Sequence, residues 1–182
     1  MMKNVLLLSA LVSCCFTVAA QEHVHGQGQM FISQEDNNWH VQLILPAADV
    51  LGFEHAPENE AQQKTIQLFA KRLEDNNSII ELNPNCSLNE VTHSLNLAYL
   101  NNIETVHAQK HDEKHHEHGD HNEFLHEDVN VEYRFACPAK VKKLTVTLFK
   151  GLVSLTSIRA QWITNISQGL AQLTPAEPDI AW

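Results

Sequence analysis

Seven of the chain's twelve histidines, His107, His111, His115, His116, His118, His121 and His126, fall within twenty residues. They alternate with Asp112, Glu113, Glu117, Asp120, Glu123 and Glu127. Neutral imidazole is a strong ligand for borderline divalent cations, and carboxylates can fill vacant coordination positions. A tract of this composition can therefore complete a tetrahedral zinc shell in several ways. His107, His111, His115 and His118 stand at i, i+4, i+8 and i+11, which on a helix places all four along one side, with neighbouring pairs able to chelate one ion. Metal would nucleate such a helix and Gly119-Asp120 would stop it, leaving His121 and His126 to close the site from the other limb or to form a second. Histidine is a middling helix former, so without metal the tract is expected to be disordered and solvated. More than one zinc ion is expected per chain.

A second constellation lies near the start. His23 and His25, spaced His-x-His, would point the same way along a strand, so one ion could bind both if a third ligand approached. Gln21-Glu22-His23 offers a different chemistry. Cleavage before Gln21 would set a histidine third from a free amine, a square-planar set suited to Cu(II) or Ni(II). His40 and His93 each stand singly inside an expected strand, where a hydrogen-bonded structural imidazole is the expectation.

The compartment follows from the first twenty residues. Lys3 precedes an apolar run from Val5 to Val18 that ends in small residues before Gln21, the layout of a cleavable secretory signal peptide at 1–20. Roughly 14 apolar residues fall short of the ~20 needed to span a bilayer, and no later stretch is longer. Leu11-Val12-Ser13-Cys14 also fits a lipoprotein processing site, which would make Cys14 a lipid-bearing N-terminus. Cys14 and Cys15 leave with the leader. Cys86 and Cys137 remain, an even pair in an oxidising compartment, and a disulfide is the expected state. It would enclose the whole tract in a loop of about 52 residues and contribute ~4 kcal/mol by the chain-entropy argument.

Residues 21–182 are enough for one domain with a real core, here a single zinc-binding domain carrying a His/acidic loop at 104–128. Removing Lys3 from the 12 basic residues leaves 11 against 22 acidic ones, a formal charge of −11. That charge repels nucleic acid and anionic membrane surfaces and attracts cations. No HExxH, GxSxG or spaced nucleophile and base is present, so an enzyme is not expected.

The elements that must position these groups are legible from periodicity. Met30 and Ile32, then Val41, Leu43 and Leu45, alternate about a turn at Asp36-Asn37-Asn38, predicting a hairpin that ends at Pro46. Ile66, Phe69, Ala70 and Leu73 recur at helical spacing between Pro57 and Asp75-Asn76-Asn77, predicting an amphipathic helix lying on the sheet. Val129 to Phe135, Leu144 to Leu148 and Ile158 to Trp162 alternate as strands, the last two joined by a turn around Gly151–Thr156. A polar break follows at Asn165, Ser167 and Gly169. The class is α+β, with a mostly antiparallel sheet, one main amphipathic helix and a long histidine-rich loop.

Several of these stretches together carry a resemblance. His23–Gly26, Pro46-Ala47-Ala48-Asp49, Gly52-Phe53-Glu54-His55-Ala56-Pro57, the histidine tract, Tyr133-Arg134-Phe135 with Cys137, Leu148-Phe149 and Gln172-Leu173-Thr174-Pro175 resemble the ZrgA-type family of bacterial zinc uptake proteins. The resemblance implies a periplasmic protein of Gram-negative bacteria that binds zinc and assists a zinc import system. It also offers His55 as the third ligand to His23 and His25. A metallochaperone or accessory binding protein, a sequestering or storage protein, and a copper or nickel binder at the N-terminus remain as alternatives.

Imidazole must be neutral to bind metal and titrates near pH 6.5, so tract sites built from two or three histidines should weaken steeply below about pH 6. Fixed ligands lose less entropy on binding and should hold zinc to lower pH. Competition with a zinc-sensitive dye from about pH 5 to 8 should resolve two classes of site, the tract emptying first. Loss of all zinc in one step would contradict this.

Overall fold

The structure, a computed structural model, describes residues 24–82, 86–95 and 128–181. The elements run β1 (Gln27–Glu35), β2 (Asn38–Pro46), α1 (Ala47–Leu51), α2 (Glu60–Glu74), β3 (Ile80–Glu81), β4 (Ser87–His93), β5 (Asp128–Ala136), β6 (Lys143–Val146), β7 (Ser157–Ile163), β8 (Gln168–Leu173) and β9 (Asp179–Ala181). Six strands form one sheet in the order β4-β5-β2-β1-β7-β8, and β3-β6-β9 form a second. Every pairing is antiparallel except β1 with β7. The expected α+β class with one main helix is what the structure has.

The hairpin β1–β2 closes through Asp36, whose φ of 52° lies in the left-handed region that aspartate tolerates better than most residues. Alternate residues of β1, β2, β5 and β7 are buried on one face of the large sheet, among them Met30, Ile32, Val41, Leu43, Val131, Ile158 and Ala160. Over this face lies α2, which buries the expected Ile66, Phe69, Ala70 and Leu73. Its start is fixed by Asn59, whose side chain accepts a hydrogen bond from the Gln62 amide at 3.0 Å. Lys71 and Arg72 lie in its last turn, where positive charge suits the helix dipole.

Two side chains tie the layers together. Tyr133 of β5 is fully buried and its hydroxyl donates to the Leu73 carbonyl at 2.6 Å, satisfying a carbonyl in the helix's last turn. Arg72 donates through Nη2 to the carbonyls of Leu148 at 3.1 Å and Lys150 at 2.8 Å, fixing the turn after β6. That turn explains why Leu148, expected in a strand, lies beyond β6 while remaining buried.

The periodicity reading missed β3, β8, β9 and α1. Gly169, read as part of a break, is inside β8, opposite Trp162 of β7. The indole of Trp162 lies where a Cβ on residue 169 would stand, so the ring covers the glycine as it would a missing side chain.

Cys86 and Cys137 form the expected disulfide, with their Cα atoms 4.2 Å apart. They immediately flank the register pair Ser87 and Ala136 and so stand opposite one another at one end of the β4–β5 ladder. Residues 96–127 leave from the other end. There the strands are held by Ser94 N–H donating to Asn130 O at 2.9 Å and Asn130 N–H donating to Ser94 Oγ at 3.1 Å.

Burial, and after it the nearby Asp75, pushes the Tyr133 phenol well above its ordinary value. The native state therefore keeps this proton after the unfolded chain has lost it. Stability is intact below about pH 10 and falls above it. Replacing Tyr133 by Phe should cost about 1–2 kcal/mol at neutral pH, because the Leu73 carbonyl loses its donor, and should flatten the decline above about pH 10. Urea unfolding of both proteins at pH 7 and in the alkaline range checks both parts. An equally steep decline in the variant would contradict the assignment.

Candidate metal centre

His107, His111, His115, His116, His118, His121 and His126 lie outside the described residues, as does His23. What the structure fixes is where their segment begins and ends. Residues 96–127 connect neighbouring strands, and Leu95, the last described residue before them, is buried.

His25 is not on a strand. The chain turns at Val24–Gln27, with Gln27 N–H donating to Val24 O at 3.1 Å and Gly26 at φ 78°. This corrects the expected strand placement of His25, because a positive φ at Gly26 ends the extended backbone before β1 begins; His23 lies outside the described residues. The turn itself is tightly fixed. Gly26 N–H donates to the Asp49 carboxylate on α1. Its carbonyl accepts from Thr156 N–H at 2.8 Å, Ser157 N–H at 3.0 Å and Thr156 Oγ1 at 2.9 Å. A Cβ on Gly26 would stand 3.0 Å from Thr156 Oγ1 and 3.3 Å from Ser154 O.

Held in this way, His25 faces the segment that follows α1. That short helix stops at Gly52, whose φ of 86° is a left-handed cap, and the chain continues through Phe53, Glu54 and His55. Glu54 Oε1 lies 3.6 Å from His25 Nδ1. His55 packs against Phe53 with ring centroids 5.4 Å apart, its Nδ1 lies 2.8 Å from Ala56 O, and Glu58 Oε1 is 3.8 Å from the same nitrogen. A ring nitrogen facing a carbonyl oxygen must carry the proton, which leaves Nε2 of His55 with its lone pair. Glu54 biases His25 the same way. Oxygen acceptors on Nδ1 commonly orient imidazoles that ligate metal through Nε2.

Among the described residues, no three His, Cys, Asp or Glu side chains stand close enough together to hold a metal ion. The region offers one imidazole, His55, whose orientation is fixed by a hydrogen bond, and His25 near Glu54, and not a closed shell. Periodicity could not have found Glu54 or Asp49, because neither sits in a pattern. Their only signal was adjacency to His55 and membership of the Pro46–Asp49 stretch.

His40 and His93 differ from each other. Nε2 of His40 lies 3.2 Å from Glu132 Oε2 on the next strand, as a structural imidazole should. Nδ1 of His93 is buried with no hydrogen-bond partner among the described residues. The expectation of a satisfied imidazole therefore holds for His40, where the neighbouring strand supplies a carboxylate, while among the described residues nothing meets Nδ1 of His93 on edge strand β4.

The model of the ZrgA family of zinc uptake proteins matches residues 22–182. The chain belongs to that family. The match covers both the His25–His55 region and the 96–127 connection, and it ties the chain to zinc uptake. No curated protein matches it. Among the described residues, no helix is long and apolar enough to cross a membrane.

Gly26→Ala should destabilise the chain by about 1–2 kcal/mol for the left-handed backbone alone, and by more because its Cβ meets Thr156 and Ser154. Gly52→Ala carries the conformational cost without the contacts, having nothing within 4 Å of its Cβ. Urea unfolding of the two variants should place Gly26→Ala below Gly52→Ala. Equal losses would show that the clamp around the His25 turn adds nothing.

Proposed function

We propose that residues 21–182 form one non-enzymatic, zinc-binding domain of the periplasm. It captures Zn(II) on its histidine tract and hands the ion to a zinc import system. The observation that supports this most directly is the position of the tract in a zinc uptake protein. It is inserted between two adjacent strands whose ladder is hydrogen-bonded at the tract's base and disulfide-bonded at the far end. Ion loading is then separable from folding of the body. Imidazoles that exchange ions among several overlapping ligand sets give capacity and fast release, which suits capture more than permanent retention.

His25 and His55, with His23, supply a second and tighter locus. The His55 ring is oriented before metal arrives, so binding loses less entropy there. Zinc gathered on the tract passes to this locus or directly to the transporter. A storage protein would bind zinc with the same residues and differ only in failing to pass it on.

Calorimetric zinc titration of the mature protein should give more than one ion per chain. Deletion of residues 107–126 should remove most of that capacity while preserving a cooperative thermal transition. Unchanged stoichiometry would exclude the tract as the capture site. Transfer is tested by following zinc from the loaded protein to a purified importer component. Arrival faster than spontaneous dissociation supports delivery, and arrival at the dissociation rate supports storage.

A further inference from the structure

The ring of His25 is mostly exposed, and Glu54 at 3.6 Å is too far away to hold it by a hydrogen bond. Its place is therefore set by its backbone, and that backbone is gripped at Gly26. The two sides of the glycine are held by different parts of the fold. Its carbonyl takes three hydrogen bonds from Thr156 and Ser157, which bind the turn to the start of β7. Its N–H, in a buried residue, is met by the carboxylate of Asp49 on α1.

Asp49 stands where the sheet stops supplying acceptors. The β1–β2 ladder runs from Glu35 opposite Asn38 to Gln29 opposite Ile44, and after Pro46 the chain leaves the sheet as α1. A buried N–H beyond the ladder needs another partner. Acidic residues in the first turn of a helix commonly serve that helix's own N-terminus. Here no side chain caps α1, and Asp49 instead reaches back across 23 residues to Gly26.

The same helix leads to His55. α1 is seated by buried Val50 and Leu51 and ends at Gly52, whose N–H returns to Ala48 O at 3.0 Å. Phe53, packed against the core, then places its ring 5.4 Å from that of His55. Asp49 is thus on the segment that carries His55 and is bonded to the residue after His25. Of the hydrogen bonds on Gly26, it is the one that refers His25 to the His55 segment.

We propose that Asp49 is a positioning residue: by bonding Gly26 it keeps His25 within reach of an ion held by His55, an inference that rests on the zinc locus proposed above. Two imidazoles on separate segments share one ion most readily when the segments keep their spacing before it arrives. Fixing that spacing lowers the ordering cost of binding. Asp49 does this while touching neither the ion nor an imidazole.

Imidazole nitrogen NMR of the whole mature chain follows each histidine separately during a zinc titration. In the wild type His25 and His55 should respond together, with one midpoint, before the tract histidines. In Asp49→Ala that midpoint should rise at least about tenfold relative to the tract, which serves as an internal reference. Asp49→Asn keeps an oxygen that accepts from Gly26 N–H but removes the charge, so it should restore most of the wild-type order of filling. Thermal unfolding checks that each variant folds. Asp49→Glu, which displaces the acceptor by one methylene and keeps the charge, should shift the midpoint in the same direction as Asp49→Ala and replaces it should that chain not fold. An unchanged midpoint in the folded Ala variant or its replacement overturns the role of Asp49. So does an Asn variant that loses as much as the Ala variant, because charge alone then accounts for the loss. Absence of any response of His25 and His55 to zinc in the wild type overturns the locus itself, and this proposal with it.

Discussion

The structure depends most on β5. It pairs with β2 over nine residues on one side and with β4 on the other. It buries Val129, Val131, Tyr133 and Phe135, and through Tyr133 it holds the end of α2. It also starts immediately after the histidine segment and ends beside Cys137. Of the two strands bounding that segment, β4 is the outer one and β5 lies inside the sheet. The segment's C-terminal end is thus anchored in the core and its N-terminal end reaches the core through β5. The disulfide sits where it cross-links these strands without touching the tract's base.

This arrangement reconciles two demands that conflict in a small protein. The stretch from His107 to His121 is almost wholly polar, so its composition offers a core little apolar surface. Inserted between adjacent paired strands, it costs the body only loop-closure entropy, which grows slowly with length. The bridge lowers that cost further by constraining the unfolded chain. The length of the connection is then free to vary while the fold stays the same.

How much of this could be read from the sequence follows from which forces write themselves as patterns. The β1–β2 hairpin and α2 were legible because one face of each is buried, which imposes a period of 2 or 3.6. β3 and β9 are two and three residues long, too short to show a period. β8 was hidden because its exposed Leu170 and its glycine invert the usual signals, and only the Trp162 ring makes Gly169 acceptable there. The disulfide followed from compartment and parity. The placement of His25 did not, since it rests on a positive φ at Gly26 and a distant Asp49, and neither leaves a periodic trace. His55 came from resemblance, and the approach of Glu54 to His25 only from the three-dimensional structure.

The central claim is that folding of the body does not require an intact tract. Lys110 and Lys114 lie within the histidine segment, so brief trypsin treatment of the native, oxidised protein can cut it there. Two fragments should stay joined through Cys86–Cys137 until reduced, in a nicked molecule that keeps a cooperative thermal transition close to that of the uncut chain. Loss of that transition on nicking, with the disulfide still intact, would contradict it.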